Sequence, residues 1–244
     1  MSILVSDFDG TFLTDKNDIE INIEAIKRFI KAGNYFALSS GRPLDSILNQ
    51  TYIYEIPFTH IGSSDGNFMF DAEGRKIYSR SISHEVESKI QELKKLKIYE
   101  QLQYAYPKSN STYYEPDKEL GSISFVIKEE NITDEFLELF NRLKEENPNY
   151  KYDIYGFHGI FYYMVRPKGI SKSCPIARLS TLLHIPKEDI YTIGDNVNDI
   201  ELVRDYNGFM IGNNRKLEEV ALGKYEAVHE LVEDIQNRKV LKRW

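Results

Sequence analysis

The sequence predicts an α/β protein: an open, largely parallel sheet flanked by helices, with a smaller α+β unit inserted into it. Three observations predict this. Short apolar runs alternate with amphipathic stretches at both ends of the chain. The texture changes near Ser81 and reverts at Pro167-Lys168-Gly169, a turn-rich return linker. Several apolar runs also stop at polar turns: Asp7/Asp9, Ser39/Ser40, Ser64/Asp65 and Asp195/Asp199. In an open parallel sheet, loops beyond the carboxyl ends of the strands converge on one edge.

Taken in order, Ile3-Leu4-Val5 suits a strand buried on both faces, ending at Asp7-Phe8-Asp9-Gly10-Thr11. Residues 22–32 read as a helix, with Ile23, Ile26 and Ile30 on one face, Asn22 as its cap and Gly33 at its stop. Residues 34–38 form a second strand, so strand, helix and strand imply a parallel pair with a right-handed crossover. Pro43 suits the first turn of a helix through Leu44, Ile47 and Leu48. Residues 58–61 read as a third strand. Residues 67–70 and 76–79 flank a hairpin turn at Asp71-Ala72-Glu73-Gly74.

In the insertion, Val86, Ile90, Leu93 and Leu96 form one helical stripe, and Phe136, Leu139, Phe140 and Leu143 another. Residues 122–128 alternate like an antiparallel strand. The aromatic stretch 150–166 reads as two strands broken at Gly156 and Gly159. Beyond the linker, Ile176, Leu179, Leu182 and Leu183 mark a helix, and residues 189–193 a strand. Ile200, Leu202 and Val203 mark a further helix, residues 207–211 another strand, and two helical segments close the pattern. The basic stretch 238–243 reads as a solvated tail.

Composition narrows the function. The chain has 244 residues, 41% hydrophobic and 28% charged, which fits a folded protein rather than a disordered one. A net charge of −7 argues against nucleic acid or an anionic membrane as the main partner. It leaves room for a small phosphorylated metabolite, since a local basic cluster reverses the sign in one cleft. The single cysteine, Cys174, excludes an internal disulfide and reads as an inert helix-start residue. No signal peptide or spanning run is visible, so the expected location is the cytoplasm, as a monomer or homodimer.

Two acids at the mouth of an apolar strand are costly unless compensated. Asp7, Asp9, Asp195 and Asp199 bring up to four carboxylates to one edge. Hard oxygen donors without His or Cys among them point to Mg2+ rather than Zn2+. Ser39, Ser40 and the amides around Gly41 suit an anion at a helix N-terminus. Lys172, at another helix start, supplies the cation that a phosphate needs.

These residues resemble the haloacid dehalogenase superfamily. Asp7-Phe8-Asp9-Gly10-Thr11 is similar to its DxDGT motif, Ser40 to its Ser/Thr motif, Lys172 to its lysine motif, and Gly194-Asp195-Asn196-Val197-Asn198-Asp199 to its acidic motif. The insertion lies where the Cof-like, type IIB members carry their cap, and sugar-phosphate phosphatases are prominent among those. Asp65-Gly66-Asn67 departs from the Asn-Gly-Ala of many relatives. The resemblance implies a Rossmann-like three-layer core, residues 1–81 and 167–244, and a C2-type α+β cap, residues 82–166, that excludes water and selects the leaving group.

It also implies the chemistry. Asp7 is the nucleophile that forms an aspartyl-phosphate, and Asp9 is the general acid and base. Ser40, Gly41, Arg42, Lys172 and Asn198 bind substrate phosphate. Asp7, the backbone carbonyl of Asp9, and Asp195 hold Mg2+; Asp199 assists through a metal-bound water or by orienting Lys172. The expected activity is Mg-dependent hydrolysis of small phosphorylated metabolites, sugar phosphates foremost. The alternatives are a phosphomutase of the same superfamily or a catalytically silent binding protein on this fold. Most of the aromatics from Tyr150 to Tyr163 are expected to pack on the cap helices, leaving one or two near Gly156 to Gly159, with His158, to face substrate.

Overall fold

The computed structural model describes residues 1–14, 18–115, 118–238 and 240. Its first elements are β1 (Ile3–Asp7), α1 (Ile19–Lys31), β2 (Tyr35–Ser39), α2 (Leu44–Ile53), β3 (His60–Ser63), β4 (Phe68–Asp71) and β5 (Lys76–Ser79). Then come α3 (His84–Lys95), β6 (Gln101–Ala105), β7 (Asn110–Ser111), β8 (Ser122–Lys128), α4 (Asp134–Glu146), β9 (Tyr150–Phe157) and β10 (Ile160–Pro167). The chain continues through α5 (Cys174–Leu183), β11 (Ile190–Gly194), α6 (Ile200–Asp205), β12 (Asn207–Met210), α7 (Arg215–Glu218) and α8 (Val228–Gln236). Two compact units result: Met1–Ser79 with Ile170–Trp244, and Arg80–Gly169.

The first unit is a sheet of order β12-β11-β1-β2-β3-β4-β5. From β12 to β3 the strands run parallel; β4 and β5 return antiparallel. Every residue of β1 is buried, as a strand covered on both faces must be. Leu4, Phe36 and Leu38 face α1, α2 and α8, through Ile26, Phe29, Ile47 and Leu231. Ile3, Val5 and Ala37 face the other way, onto Ile176, Leu179 and Leu202 of α5 and α6. Each such fully buried Ile, Leu, Val or Phe side chain contributes about 1.5–3 kcal/mol of transfer free energy. The result is a Rossmann-like three-layer core. Because β2 and β11 flank β1 on opposite sides, the chain changes winding direction there, and the carboxyl ends of these three strands bound a crevice.

The second unit is an antiparallel sheet of order β7-β6-β8-β10-β9 with α3 and α4 packed on one face. Ser83 caps α3 by accepting from the Val86 amide, and Thr133 caps α4 by accepting from Phe136. Each cap is worth about 1 kcal/mol. Tyr163 meets Phe136 and Phe140 edge-on, with ring centroids 4.9 and 5.1 Å away. Tyr152 packs on Phe140 and donates its hydroxyl to the Leu143 carbonyl. Tyr155 and Phe157, by contrast, are exposed.

Several local expectations need correction. Helix α1 begins at Ile19, and Asp18, not Asn22, stands at its cap position. Asn22 is buried inside the helix, where its Oδ1 accepts the His229 backbone amide at 2.9 Å. A polar residue on an apolar stripe has served a tertiary contact instead of a cap. Pro43 precedes α2 rather than lying in its first turn. Strands β2 and β3 sit one and two residues later than expected. The inserted sheet has two further strands, β6 and β7, which polar exposed positions hide in the sequence. Gly156 lies within β9, where a Cβ would meet the Phe161 ring at 2.9 Å; the chain turns instead at His158 and Gly159, both at positive φ. Cys174 opens α5, with its Sγ 3.7 Å from the Ser171 hydroxyl. The basic stretch 238–243 falls mostly outside the described residues. Among the described residues, no helix is long and apolar enough to cross a membrane.

Candidate active site

Asp7 is the last residue of β1 and is 4% exposed. The chain leaves the strand through a tight loop in which the Leu13 amide bonds the Phe8 carbonyl at 2.8 Å and Gly10 bonds Leu13 at 2.9 Å. Gly10 has φ +84°, and a Cβ there would lie 2.6 Å from Asp195 Oδ2. The glycine thus serves the turn and lets the Asp195 loop close in. Thr11 fastens that contact, its hydroxyl donating to Asp195 Oδ1 at 2.8 Å.

Lys172, 1% exposed just before α5, joins the two halves of the chain. Its ammonium lies 2.5 Å from Asp7 Oδ1 and 2.7 Å from Asp199 Oδ1. The second oxygen of Asp199 accepts the backbone amides of Asp195 and Asn196, each at 3.1 Å. Gly194 makes room for it, since a Cβ would sit 2.5 Å from that of Asp199. Both oxygens of Asp199 therefore accept hydrogen bonds, one of them from Lys172.

Burial, then the charge of Asp199, pushes the Asp7 carboxyl up to about 8, with Lys172 pulling it back. Burial likewise raises Asp199. Burial works against the Lys172 ammonium, but the two carboxylates outweigh it and hold it charged. Asp7, Asp195 and Asp199 each offer an oxygen within 4.8 Å of the others. With all three ionised, three carboxylates against one ammonium leave two negative charges. A donor set of hard oxygens with that deficit fits a divalent cation such as Mg2+. Asp7, Asp195 and Asp199 are the side chains placed to hold it.

Other predicted residues reach the same edge but make different contacts from those expected. The Arg42 guanidinium grips both oxygens of Asp9, Nε to Oδ2 at 2.7 Å and Nη2 to Oδ1 at 2.6 Å. Arg42 also lies over the Phe8 ring, 5.6 Å from its centroid. Expected to bind phosphate, the guanidinium here is engaged by Asp9. The Ser40 hydroxyl accepts the Arg42 amide at 3.1 Å, starting the turn into α2. Asn198, expected on phosphate, donates to Asp65 Oδ1 at 3.2 Å.

Two residues that the sequence singled out only loosely have features it did not reveal. Ser39 pairs in register with Asp7 and is fully buried, and its hydroxyl has no partner. Asp65 was legible as a strand-end acid and as a departure from Asn-Gly-Ala, but without a role. It follows Ser64 and precedes Gly66, and all three have positive φ. Ser64 and Asp65 carry side chains in this region, at about 1–3 kcal/mol of strain each. The Ser-Asp-Gly triplet was the available signal, since Asp tolerates that conformation better than most residues.

Comparisons with known proteins bear on the family and the fold. The family model of haloacid dehalogenase-like hydrolases matches residues 4–153 and 94–222. The chain belongs to that family, and the inserted unit occupies the place of its cap. Among solved structures, it is similar to the haloalkanoate-superfamily phosphatase BT1666 from Bacteroides thetaiotaomicron, at 18% identity and TM-score 0.71, over 97% of this chain and 94% of that one. It is similar to TM0651 from Thermotoga maritima at 20% identity and TM-score 0.75, over 95% and 96%. It also resembles the subclass IIB sugar phosphatase BT4131, at 18% identity and TM-score 0.66, over 98% of each chain. These identities speak to the fold. No curated protein matches the chain.

Proposed function

We propose that the protein is a Mg2+-dependent phosphatase of small phosphorylated metabolites, sugar phosphates foremost, working through an aspartyl-phosphate on Asp7. One observation carries this reading: a buried carboxylate at a strand end, bonded to a buried lysine, in a cluster two positive charges short of neutrality. Family membership and the phosphatases among its structural neighbours support it.

Asp7 attacks phosphorus as the bond to the ester oxygen breaks, and that oxygen takes a proton from Asp9. Asp9 then removes a proton from water, which attacks the same phosphorus and frees phosphate and Asp7. Lys172 holds Asp7 and neutralises a phosphoryl oxygen as charge moves. Asp199 keeps Lys172 in place. Ser40 and the Gly41 amide are the remaining phosphate donors. Mg2+, held by Asp7, Asp195 and the Asp9 carbonyl, supplies charge compensation when bound. Asp9 does its work only after Arg42 lets go, so an arriving phosphate has to exchange with Asp9 on the guanidinium.

The test is a screen of phosphorylated metabolites with and without Mg2+. Phosphate release that needs Mg2+ supports the reading; no release from any ester favours a silent binding protein instead.

A further inference from the structure

The turn 64–66 touches three of the loops that build the site. The Asp65 amide donates to the Ser40 carbonyl at 3.1 Å, and the Ser64 amide to that of Arg42 at 2.9 Å. The Asp65 carboxylate lies against Gly41, where a Cβ would be 3.1 Å from Oδ1 and 3.3 Å from Oδ2. Asn198 donates to Oδ1 from the acidic loop. Gly66 packs so tightly on the Ser171 carbonyl, one residue before Lys172, that no Cβ fits between them. The backbone is strained at Ser64 and Asp65, yet these contacts hold it there.

The outcome of that strain is one carboxylate on the rim of the phosphate site. Among the described residues, Asn198 is its sole side-chain or backbone donor, and it uses only one of the two oxygens. No cation among the described residues of this unit pairs with it. A half-exposed acceptor so placed has two physical effects. It attracts a hydrogen-bond donor or a positive charge on the group carrying the phosphate, and it repels a second anion there.

We propose that Asp65 is a specificity residue: the site takes phosphate esters whose leaving group bears a hydroxyl or ammonium close to the ester carbon, and rejects those bearing a second acid at that place. This rests on the phosphatase reading and deepens it by naming the leaving-group class.

Three matched, non-hydrolysable probes test it: 2-aminoethylphosphonate, 2-hydroxyethylphosphonate and phosphonoacetate, titrated calorimetrically with Mg2+ present. The wild type should bind the first two more tightly than the third. Asp65→Asn is nearly isosteric, suits the left-handed backbone and keeps the contact with Asn198, so it preserves the fold. It should shrink the affinity ratio of the amino over the carboxylate probe by roughly ten-fold or more, the scale of one charge contact in a partly solvated site. A ratio that changes less than two-fold, or a wild type that prefers phosphonoacetate, overturns the proposal. Release of phosphate from phosphoethanolamine, glycerol 1-phosphate and 2-phosphoglycolate is measured in parallel. A shifted binding ratio without release from any ester sinks the phosphatase reading and leaves the role of Asp65 standing. Release with an unshifted ratio does the reverse.

Discussion

Replacing Lys172 by Met removes the one cation bonded to both Asp7 and Asp199 while keeping most of the side-chain volume. Breaking a buried ion pair from one side costs about 3–5 kcal/mol, because the stranded carboxylate has neither water nor partner. Here there are two such carboxylates, 4% and 0% exposed. They can escape by taking up protons, and that fixes the pH dependence. The Asp7 carboxyl already stands at about 8 with Lys172 present, against an ordinary value of 3.8, and losing the lysine raises it further. A raised carboxyl pKa means that the folded state prefers the protonated form. Its stability is therefore complete below the unfolded value near 4 and falls as pH rises toward 8.

The expected penalty of Lys172→Met, without metal, is thus on the order of 1 kcal/mol at pH 5 and about 3–5 kcal/mol at pH 8. At pH 8 this lowers the melting temperature of the unit by roughly 10 °C. Urea and thermal melts in EDTA at the two pH values measure it. Adding Asp199→Asn should recover part of the loss, since one stranded charge is gone. A penalty below about 1 kcal/mol at pH 8, or one independent of pH, refutes the reasoning.

Two further outcomes follow from particular contacts. Arg42→Gln releases Asp9 from an ion pair whose side chains are 35% and 47% exposed; stability should move by less than about 1 kcal/mol while KM for phosphate esters rises roughly ten-fold. A stability loss above about 2 kcal/mol with unchanged KM would make Arg42 purely structural. The Tyr104 hydroxyl is buried without a partner in the inserted unit. Tyr104→Phe should therefore be neutral or stabilising by up to about 1 kcal/mol, and a loss of that size in a urea melt would reveal a partner for the hydroxyl.

What the sequence made legible has a common physical basis. Ile3-Leu4-Val5 and the stripe Phe136, Phe140, Leu143 were readable because burial imposes periods of 2 and 3.6 on apolar residues. The gathering of Asp7, Ser40 and Asp195 on one edge followed from strand direction, and Lys172 from its place at a helix start. Illegible features depended on partners distant in sequence. Asn22 looked like a cap, but its bond runs to His229, 207 residues away. Strand β6 has Gln101 and Gln103 on its open side and only Leu102 and Tyr104 inward, too short a pattern to weigh. The Arg42–Asp9 clamp joins residues 33 apart and is set by rotamers, which no spacing encodes. The orphaned Ser39 hydroxyl is a fact of packing around it.

The claim at the centre is that Asp7 takes the phosphoryl group. Asp7→Asn keeps the shape and removes a carboxylate that burial penalises, so the variant should match or exceed the wild type in metal-free thermal stability. Phosphate release by the two proteins, measured with Mg2+ on the best ester from the metabolite screen, is the most direct test. The account predicts turnover by the wild type and none by the folded variant; release by Asp7→Asn at the wild-type rate would contradict it.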